Sequence, residues 1–342
     1  MYRVALTGLP GSGTSTVFHS LTGLEPPTSK SGPRPGQLRL TDDRLTKLSE
    51  LEGGKPPVYA EIVLYDEHAD RGSKGIGADA VGRVRTADAV TVVLRGFESP
   101  LTLAPARPAK DAADLAAEFL LSDLGIIENR MKRLAKESRK DSEYVLLEKL
   151  HDAAENEDLR AARAFPLRDS VHLSHYQLLV LKPWLLMLNL PDGAAPDLFP
   201  DVQSVADARG LPVIASWAKL ESELLEFDPD ERGQLRKEMA LGPAPDVLLL
   251  DALRDHLGLI SFFTVGAKEV RAWPIRGGTT AVHAAGKVHS DMERGFIRAE
   301  VVPFEEVVRS GGLAKARGRI RREDRGYEVQ DGDVIKFLFS VS

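Results

Sequence analysis

The sequence predicts an α/β protein: a mostly parallel sheet with helices on both faces, interrupted by a helical insertion and followed by a small α+β domain. Three observations carry this reading. Apolar strand runs alternate with helix-compatible stretches before Ala106 and again from Pro183 to Leu257. From Asp111 to about Arg163 charge is dense, and glycine and proline almost vanish. Beyond Leu259, short β-rich runs are separated by glycine turns. The expected division is 1–105 and 179–258 for the two parts of the sheet domain, 106–178 for the insertion and 259–342 for the last domain.

Taken in order, Tyr2 to Thr7 is a short β-rich run that Gly8-Leu9-Pro10-Gly11-Ser12-Gly13 cannot continue. Thr14 to Leu21 reads as a helix stopped by Gly23. Four prolines, three hydroxyl residues and two glycines make Glu25 to Gly36 an irregular loop. Ala60 to Tyr65 and Ala89 to Leu94 are buried strands flanking a helix around Ala78 to Arg85. In the insertion, Leu120, Leu124, Ile127, Met131 and Leu134 recur at spacings of four and three, the seam of a helix packed on another helix. Lys136 to Ser142 is the turn, and Leu146 or Leu147, Leu150 and Ala154 form the returning face. Such a hairpin either packs only on itself or serves as a paddle for a partner. Pro183 to Leu190 and Leu211 to Ser216 are strands, with helices through Lys219 to Glu226 and Val247 to Leu257. The last domain offers strands at Phe262 to Val265, Glu269 to Trp273, Phe296 to Val302 and Val334 to Phe339. Trp273 and Phe296 lie in apolar strands and suit a core better than a base-stacking platform.

Composition removes whole chemistries. The 342 residues contain no cysteine, which excludes disulfides, thiolate zinc sites, iron–sulfur clusters and cysteine nucleophiles. No apolar stretch reaches the ~18 residues of a membrane span, and the N-terminus lacks a basic lead-in with a cleavage site. A soluble, cytoplasmic, monomeric protein is the expectation. The net charge of −6 does not advertise nucleic-acid binding by the molecule as a whole.

Gly8 to Ser15 has the spacing of a phosphate-binding loop, G-x-x-x-x-G-K-[ST], with Thr14 where lysine belongs. Glycines let backbone N–H groups converge on an anion, and the helix beginning at Thr14 points its positive end at the same place. The candidate nucleotide-binding residues are Gly8, Leu9, Pro10, Gly11, Ser12, Gly13, Thr14, Ser15 and Thr16. Ser15 is placed to ligate Mg²⁺, and so is Asp66 at the end of a strand. The same text also reads as a glycine-rich turn that binds nothing. Its position between an apolar strand and a helix favours the anion. After Asp66 the run is Glu67-His68-Ala69, with alanine where a γ-phosphate-sensing glycine is usual. His68 in a polar loop reads as a solvated bystander. Asn189-Leu190-Pro191-Asp192 follows a strand, where a base-reading N-K-x-D stands, and a carboxylate at Asp192 can accept from N1 and N2 of guanine. Asn189, Asp192, Ser216 and Trp217 complete the candidate set.

These residues resemble the YchF branch of the Obg-related GTPases, as a divergent member with degenerate nucleotide motifs. The likeness is strongest in Leu259 to Thr264, Lys268 to Trp273, Ala284-Ala285-Gly286, His289-Ser290-Asp291, Glu293 to Val301 and Val329 to Ile335. It continues through Asp42-Asp43-Arg44-Leu45, Ser73-Lys74-Gly75, Phe97-Glu98 and Lys219-Leu220-Glu221. The resemblance implies a P-loop NTPase G domain with an inserted helical hairpin and a C-terminal β-grasp TGS domain. It also implies a GTP- or ATP-dependent switch, with Mg²⁺, that associates with the ribosome or RNA. Family members that prefer ATP carry a glutamate at the end of the base-reading motif, where this chain has Asp192. No histidine occurs between His68 and His151 to replace the catalytic glutamine of Ras-like proteins. Lys30, beside Thr28, Ser29 and Ser31, falls near the switch-I threonine.

Departures therefore gather in the nucleotide site, and weak or lost hydrolysis is the expectation. No residue is assigned a catalytic role. Arg71 or Lys74 would be the rescue if a cation is supplied from the following loop. The alternatives are an adaptor that binds no nucleotide and an active NTPase using such a cation. Charge is uneven along the chain. From Leu259 onward there are 14 Lys/Arg against 11 Asp/Glu, a net of +3, which leaves −9 for the remainder. Lys315, Arg317, Arg319, Arg321, Arg322 and Arg325 crowd into eleven positions. The cluster is either a solvated loop or a contact to a phosphate backbone.

Overall fold

The computed structural model describes residues 2–25, 35–67, 69, 75–99, 104–163 and 173–340. In chain order its elements are β1 (Tyr2–Thr7), α1 (Thr14–Thr22), β2 (Pro35–Leu40), α2 (Asp43–Leu51), β3 (Pro57–Val58), β4 (Ala60–Glu67), α3 (Ala78–Val84) and β5 (Ala89–Arg95). Then come α4 (Pro108–Lys136), α5 (Ser142–Glu155), α6 (Leu159–Arg163), β6 (Trp184–Asn189), α7 (Pro200–Arg209), β7 (Val213–Ser216), α8 (Ala218–Leu224), α9 (Pro229–Glu238) and α10 (Pro245–His256). The last part holds β8 (Leu259–Val265), β9 (Val270–Arg276), α11 (Ala281–Val288), α12 (Ser290–Arg294), β10 (Phe296–Pro303), α13 (Phe304–Ser310), β11 (Arg321–Glu323) and β12 (Asp333–Phe339).

The first sheet has the order β2-β4-β1-β5-β6-β7, with β1, β5, β6 and β7 paired in parallel. Parallel strands buried on both faces need continuous apolar runs. Every residue of β6 is buried, and so is β5 from Ala89 to Leu94. In such sheets ligands gather beyond the carboxyl ends of the strands. Those ends carry Gly8, Asp66, Asn189 and Ser216. Asp66 is the penultimate residue of β4 rather than its last.

The expected loop from Glu25 to Gly36 needs correction at its end. Pro35 and Gly36 open β2, whose residues Gly36, Leu38 and Leu40 are buried while Gln37 and Arg39 are exposed. The Pro-Gly pair reads as a turn, but an edge strand tolerates proline at its first position. Residues 26–34 lie outside the described residues, and with them Thr28, Ser29, Lys30 and Ser31.

The insertion forms the helical hairpin α4–α5, but it does not pack only on itself. Leu120, Ile127 and Leu134 face Leu147, Leu150 and Ala154, and the same buried cluster continues through Leu115 and Phe119 into Trp184, Leu186 and Val92 of the sheet. The Phe119 and Trp184 rings meet edge to face at 5.2 Å. Arg85, just after α3, pairs with the fully buried Asp123 of α4 at 2.5 Å. Burial pushes the Asp123 carboxyl up and Arg85 pulls it back. Removing one partner of such a pair leaves a stranded charge, worth roughly 3–5 kcal/mol.

Two compact units emerge, 2–38 with 63–253 and 39–62 with 254–342. This corrects the expected division, which left 39–62 in the sheet domain. In the second unit the sheet order is β11-β10-β12-β8-β9-β3, and β3 pairs in parallel with β9. Phe262 and Phe263 point to opposite faces, as successive strand residues must. Phe262 joins Ile275, Ile335 and the alanines of α11, whereas Phe263 joins Val270, Val302 and Val334 with Leu45 and Leu48 of α2. Arg44 bridges Asp42 and Asp331, and Asp331 Oδ1 also accepts the Ser261 N–H at 2.9 Å. Trp273 and Phe296 are packed with this core.

The hairpin carries one titratable lock. Arg130 of α4 donates twice to Glu143 of α5, each bond 2.9 Å, and the Tyr176 hydroxyl adds a third at 2.5 Å. The guanidinium bonds outweigh burial and hold the Glu143 carboxyl at about 2 instead of 4.5. A carboxyl depressed by folding stabilises above its unfolded value, and that contribution disappears as pH falls through its folded value. Glu143→Gln should therefore unfold at a lower temperature than the parent from neutral pH to about pH 4.5, with the gap closing towards about pH 2. Thermal melts followed by circular dichroism across that range check the sign. A gap that widens in acid contradicts it.

Candidate functional site

The site is built on the turn from β1 to α1. Gly11 and Gly13 adopt φ of 81° and 84°, the left-handed region that glycine enters without strain. Ser12 N–H closes the turn on the Leu9 carbonyl at 3.0 Å. α1 then begins at Thr14 with no side-chain cap, so its first N–H groups remain as donors at the loop. Gly8 admits no side chain. A Cβ there would fall 2.5 Å from Ser12 Oγ and 2.6 Å from the Val93 carbonyl oxygen.

Asn189 is the centre of this arrangement. Its side-chain amide, only 4% exposed, donates from Nδ2 to the Ser12 carbonyl at 3.1 Å and accepts at Oδ1 from Ala218 N–H at 3.3 Å. One side chain thus joins the ends of β6 and β7 to the glycine loop. The approach is so close that a Cβ on Gly13 would lie 2.4 Å from Nδ2. The next ring out is Phe97, at 3.6 Å from the same hypothetical atom, and Ser99 lies 3.9 Å from one on Gly11. The segment after β5 therefore borders the loop, and spacing gave no signal for it beyond the Phe97-Glu98 likeness.

Thr14 occupies the lysine position, largely buried, with its hydroxyl sharing a 2.8 Å hydrogen bond with Ser12 Oγ. It supplies no charge. Ser15 and Thr16 follow in the first turn of α1, Ser15 partly buried and Thr16 exposed, while Leu9 is partly buried and Pro10 exposed. Asp66 is fully buried at the end of β4. Its neighbour Glu67, also buried, accepts Arg83 Nε at 2.8 Å.

Asp192 stands exposed beyond β6, with its carboxylate 3.6 Å from Lys219 Nζ. Trp217 donates its indole N–H to the Ala194 carbonyl at 2.9 Å, which fixes the 191–194 turn against the start of α8. The Ser216 hydroxyl is buried without a hydrogen-bond partner among the described residues. Asn189, Ser216 and the glycine loop thus share one strand-end rim, with Asp192 and Trp217 just outside it. His68, Arg71 and Lys74 lie outside the described residues.

The basic cluster is exposed throughout but partly answered by local partners. Arg319 approaches Glu306 at 3.9 Å and Arg322 approaches Glu300 at 3.6 Å. Arg321 donates to the Tyr327 hydroxyl at 3.1 Å, and Arg325 to the Phe296 carbonyl at 3.3 Å. Lys315 and Arg317 have no ion-pair partner among the described residues. Exposed pairs at such distances contribute about 0–1 kcal/mol, so they release readily to a stronger anion.

The closeness of Gly13 to Asn189 predicts non-additive stability. Gly13→Ala forces alanine into a left-handed conformation costing roughly 1–2 kcal/mol and drives it into Nδ2. Combining it with Asn189→Ala removes that collision. The double variant should unfold at a higher temperature than the two single losses summed would give. Strict additivity in thermal melts would mean the two residues do not meet.

A family model described as YchF-GTPase_C, protein of unknown function, matches residues 259–340. The chain is 34% identical over 361 residues to the ribosome-binding ATPase YchF of Bacillus subtilis strain 168, covering 98% of both chains. It is 32% identical over 362 residues to the protein of that name from Escherichia coli O157:H7, covering 99% of both. Among solved structures, the Schizosaccharomyces pombe YchF GTPase superposes with a TM-score of 0.83 at 22% identity, over 99% of this chain and 97% of that one. A GTP-binding protein from Pyrococcus horikoshii OT3 gives 0.64 at 18% identity, over 99% of this chain and 100% of that one. With full-length relatives above the 30% level and the same fold, the chain belongs to the YchF family.

Proposed function

We propose that this chain is a nucleotide-binding protein that works with the ribosome, holds GTP or ATP with Mg²⁺ at the glycine loop, and hydrolyses it weakly or not at all. One observation carries the reading: the loop keeps its glycine geometry and its Asn189 clamp, while a neutral hydroxyl engaged by Ser12 stands at the cation position. Backbone N–H groups bind phosphate without any side chain, so affinity survives the loss of lysine. Stabilising charge that develops in the transition state is another matter. Removing one preorganised donor costs roughly 10²–10³ in rate. The Ser15 hydroxyl and Asp66 carboxylate are hard oxygen donors of the kind Mg²⁺ selects.

Base choice rests on Asp192, whose carboxylate suits guanine and whose neighbour Lys219 competes for it. The ribosome enters through the names of the relatives and through the basic cluster at 315–325, on a last domain that we take to be of TGS type. No described helix is long and apolar enough to cross a membrane. The cysteine-free composition suits the reducing cytoplasm, where we take the chain to act as a monomer.

Calorimetry with GDP, GTP, ADP and ATP in Mg²⁺ tests the site. We expect binding, with little phosphate release over hours, and a gain of at least tenfold in both affinity and hydrolysis on Thr14→Lys. No heat from any of the four at millimolar nucleotide, in the parent and in Thr14→Lys alike, favours the adaptor reading. For the ribosome, reversing Arg319, Arg321 and Arg322 to glutamate should weaken co-sedimentation with ribosomes and flatten its salt dependence. Unchanged sedimentation would leave the cluster as solvated surface.

A further inference from the structure

From the carboxyl end of β4 a chain of charged contacts runs to the helical hairpin. Glu67, next to Asp66, holds Arg83 of α3 at 2.8 Å. At the far end of α3, Arg85 binds Asp123 at 2.5 Å and donates to Ser122 Oγ at 2.8 Å. Asp123 in turn accepts the Val180 N–H at 2.7 Å. At the near end, Ile76 N–H and Gly77 N–H donate to the two carboxylate oxygens of Glu118, at 3.0 and 2.9 Å. Glu118 and Ser122 are four residues apart, so they lie along one side of α4, with Asp123 about 100° further round the helix. A single helix face therefore grips α3 at both ends.

The Glu118 grip has a steric condition. A Cβ on Gly75 would lie 2.2 Å from Glu118 Oε2, so the carboxylate reaches the backbone only because that residue is glycine. Both oxygens are used as acceptors for backbone donors, which glutamine cannot match, since its amide nitrogen would face an N–H. Ile76, Ala80, Val81 and Val84 are buried in the same cluster as the hairpin residues Leu115, Phe119 and Leu120. α3 thus has polar and apolar reasons to follow α4.

We propose that Glu118 is a coupling residue: its carboxylate ties the backbone of Ile76 and Gly77 to α4, so that nucleotide bound beside Asp66 changes the state of the hairpin, and a ligand on the hairpin changes nucleotide affinity. The inference rests on the nucleotide reading above. Coupling of this kind is reciprocal by necessity, and it needs a contact that differs between two states. The Glu118 bonds are that contact, two to one side chain, made or lost together. Glu118 touches neither nucleotide nor metal, and acts as a positioning residue.

Hydrogen exchange followed by mass spectrometry on the full chain tests this, with and without a millimolar non-hydrolysable GTP or ATP analogue in Mg²⁺. In the parent, nucleotide should alter exchange in the glycine loop and also in 115–125. In Glu118→Gln, which preserves side-chain size, the loop response should persist and the 115–125 response should disappear. Gly75→Ala should give the same loss with the carboxylate intact, which guards against one variant failing to fold. A parent whose loop responds while 115–125 does not overturns the coupling alone. So does a hairpin response that survives both substitutions. No response anywhere in the parent overturns the nucleotide reading and the coupling with it.

Discussion

The amide of Asn189 is the constraint on which the nucleotide site depends. It is buried, it uses one donor and its acceptor on backbone groups from two other strand ends, and it stands within a methyl's reach of Gly13. Its partners lie in the glycine loop and at the start of α8, two segments that also meet where the Ser222 hydroxyl of α8 donates to the Thr16 carbonyl of α1 at 3.4 Å. A shorter or apolar residue would strand a carbonyl and an N–H in a dry place, at about 1–3 kcal/mol each. Gly13, beside this contact, adopts a left-handed φ of 84°.

Shape and charge come apart at this site. A Cβ on Gly8 would fall within 3 Å of Ser12 Oγ and the Val93 carbonyl oxygen, and one on Gly13 within 3 Å of Asn189 Nδ2, so both positions of the phosphate-loop pattern demand glycine. Thr14 is buried beside Ser12. Its hydroxyl turns to Ser12 and is satisfied there without any charge. The position that departs from the motif is one that offers no charge to the chemistry. Glycine geometry thus stands beside a neutral cation position.

Much of the fold could be read from the chain because periodicity was long or burial complete. The seam from Leu120 to Leu134, the runs of β5 and β6, and the Gly23 stop all sit where spacing placed them. What escaped has a common physical cause. β2 opens on Pro35-Gly36, a turn signal that outweighed its alternating burial. α2 is amphipathic, but Leu45 and Leu48 would fit any apolar face, and nothing local tells that theirs is Phe263 and Val270. Glu118 looks like one more charge on a charged helix, because its partners are backbone N–H groups some forty residues away and carry no letter of their own. Asn189 was visible as a motif residue, while its actual bonds, also to backbone, were not.

The same distinction bears on the hairpin. Read as text, it is a self-contained pair of helices whose apolar seams need only each other. In the structure those seams are half of a larger cluster, and Phe119 against Trp184 makes the insertion part of the sheet's own core. A hairpin that closed only on itself would swing independently of the nucleotide site. One whose base is sheet core, and whose side holds α3 through Glu118 and Asp123, cannot change position without disturbing the strand end that carries Asp66. The arrangement ties the hairpin to the glycine-loop domain, with α3 as the element between them.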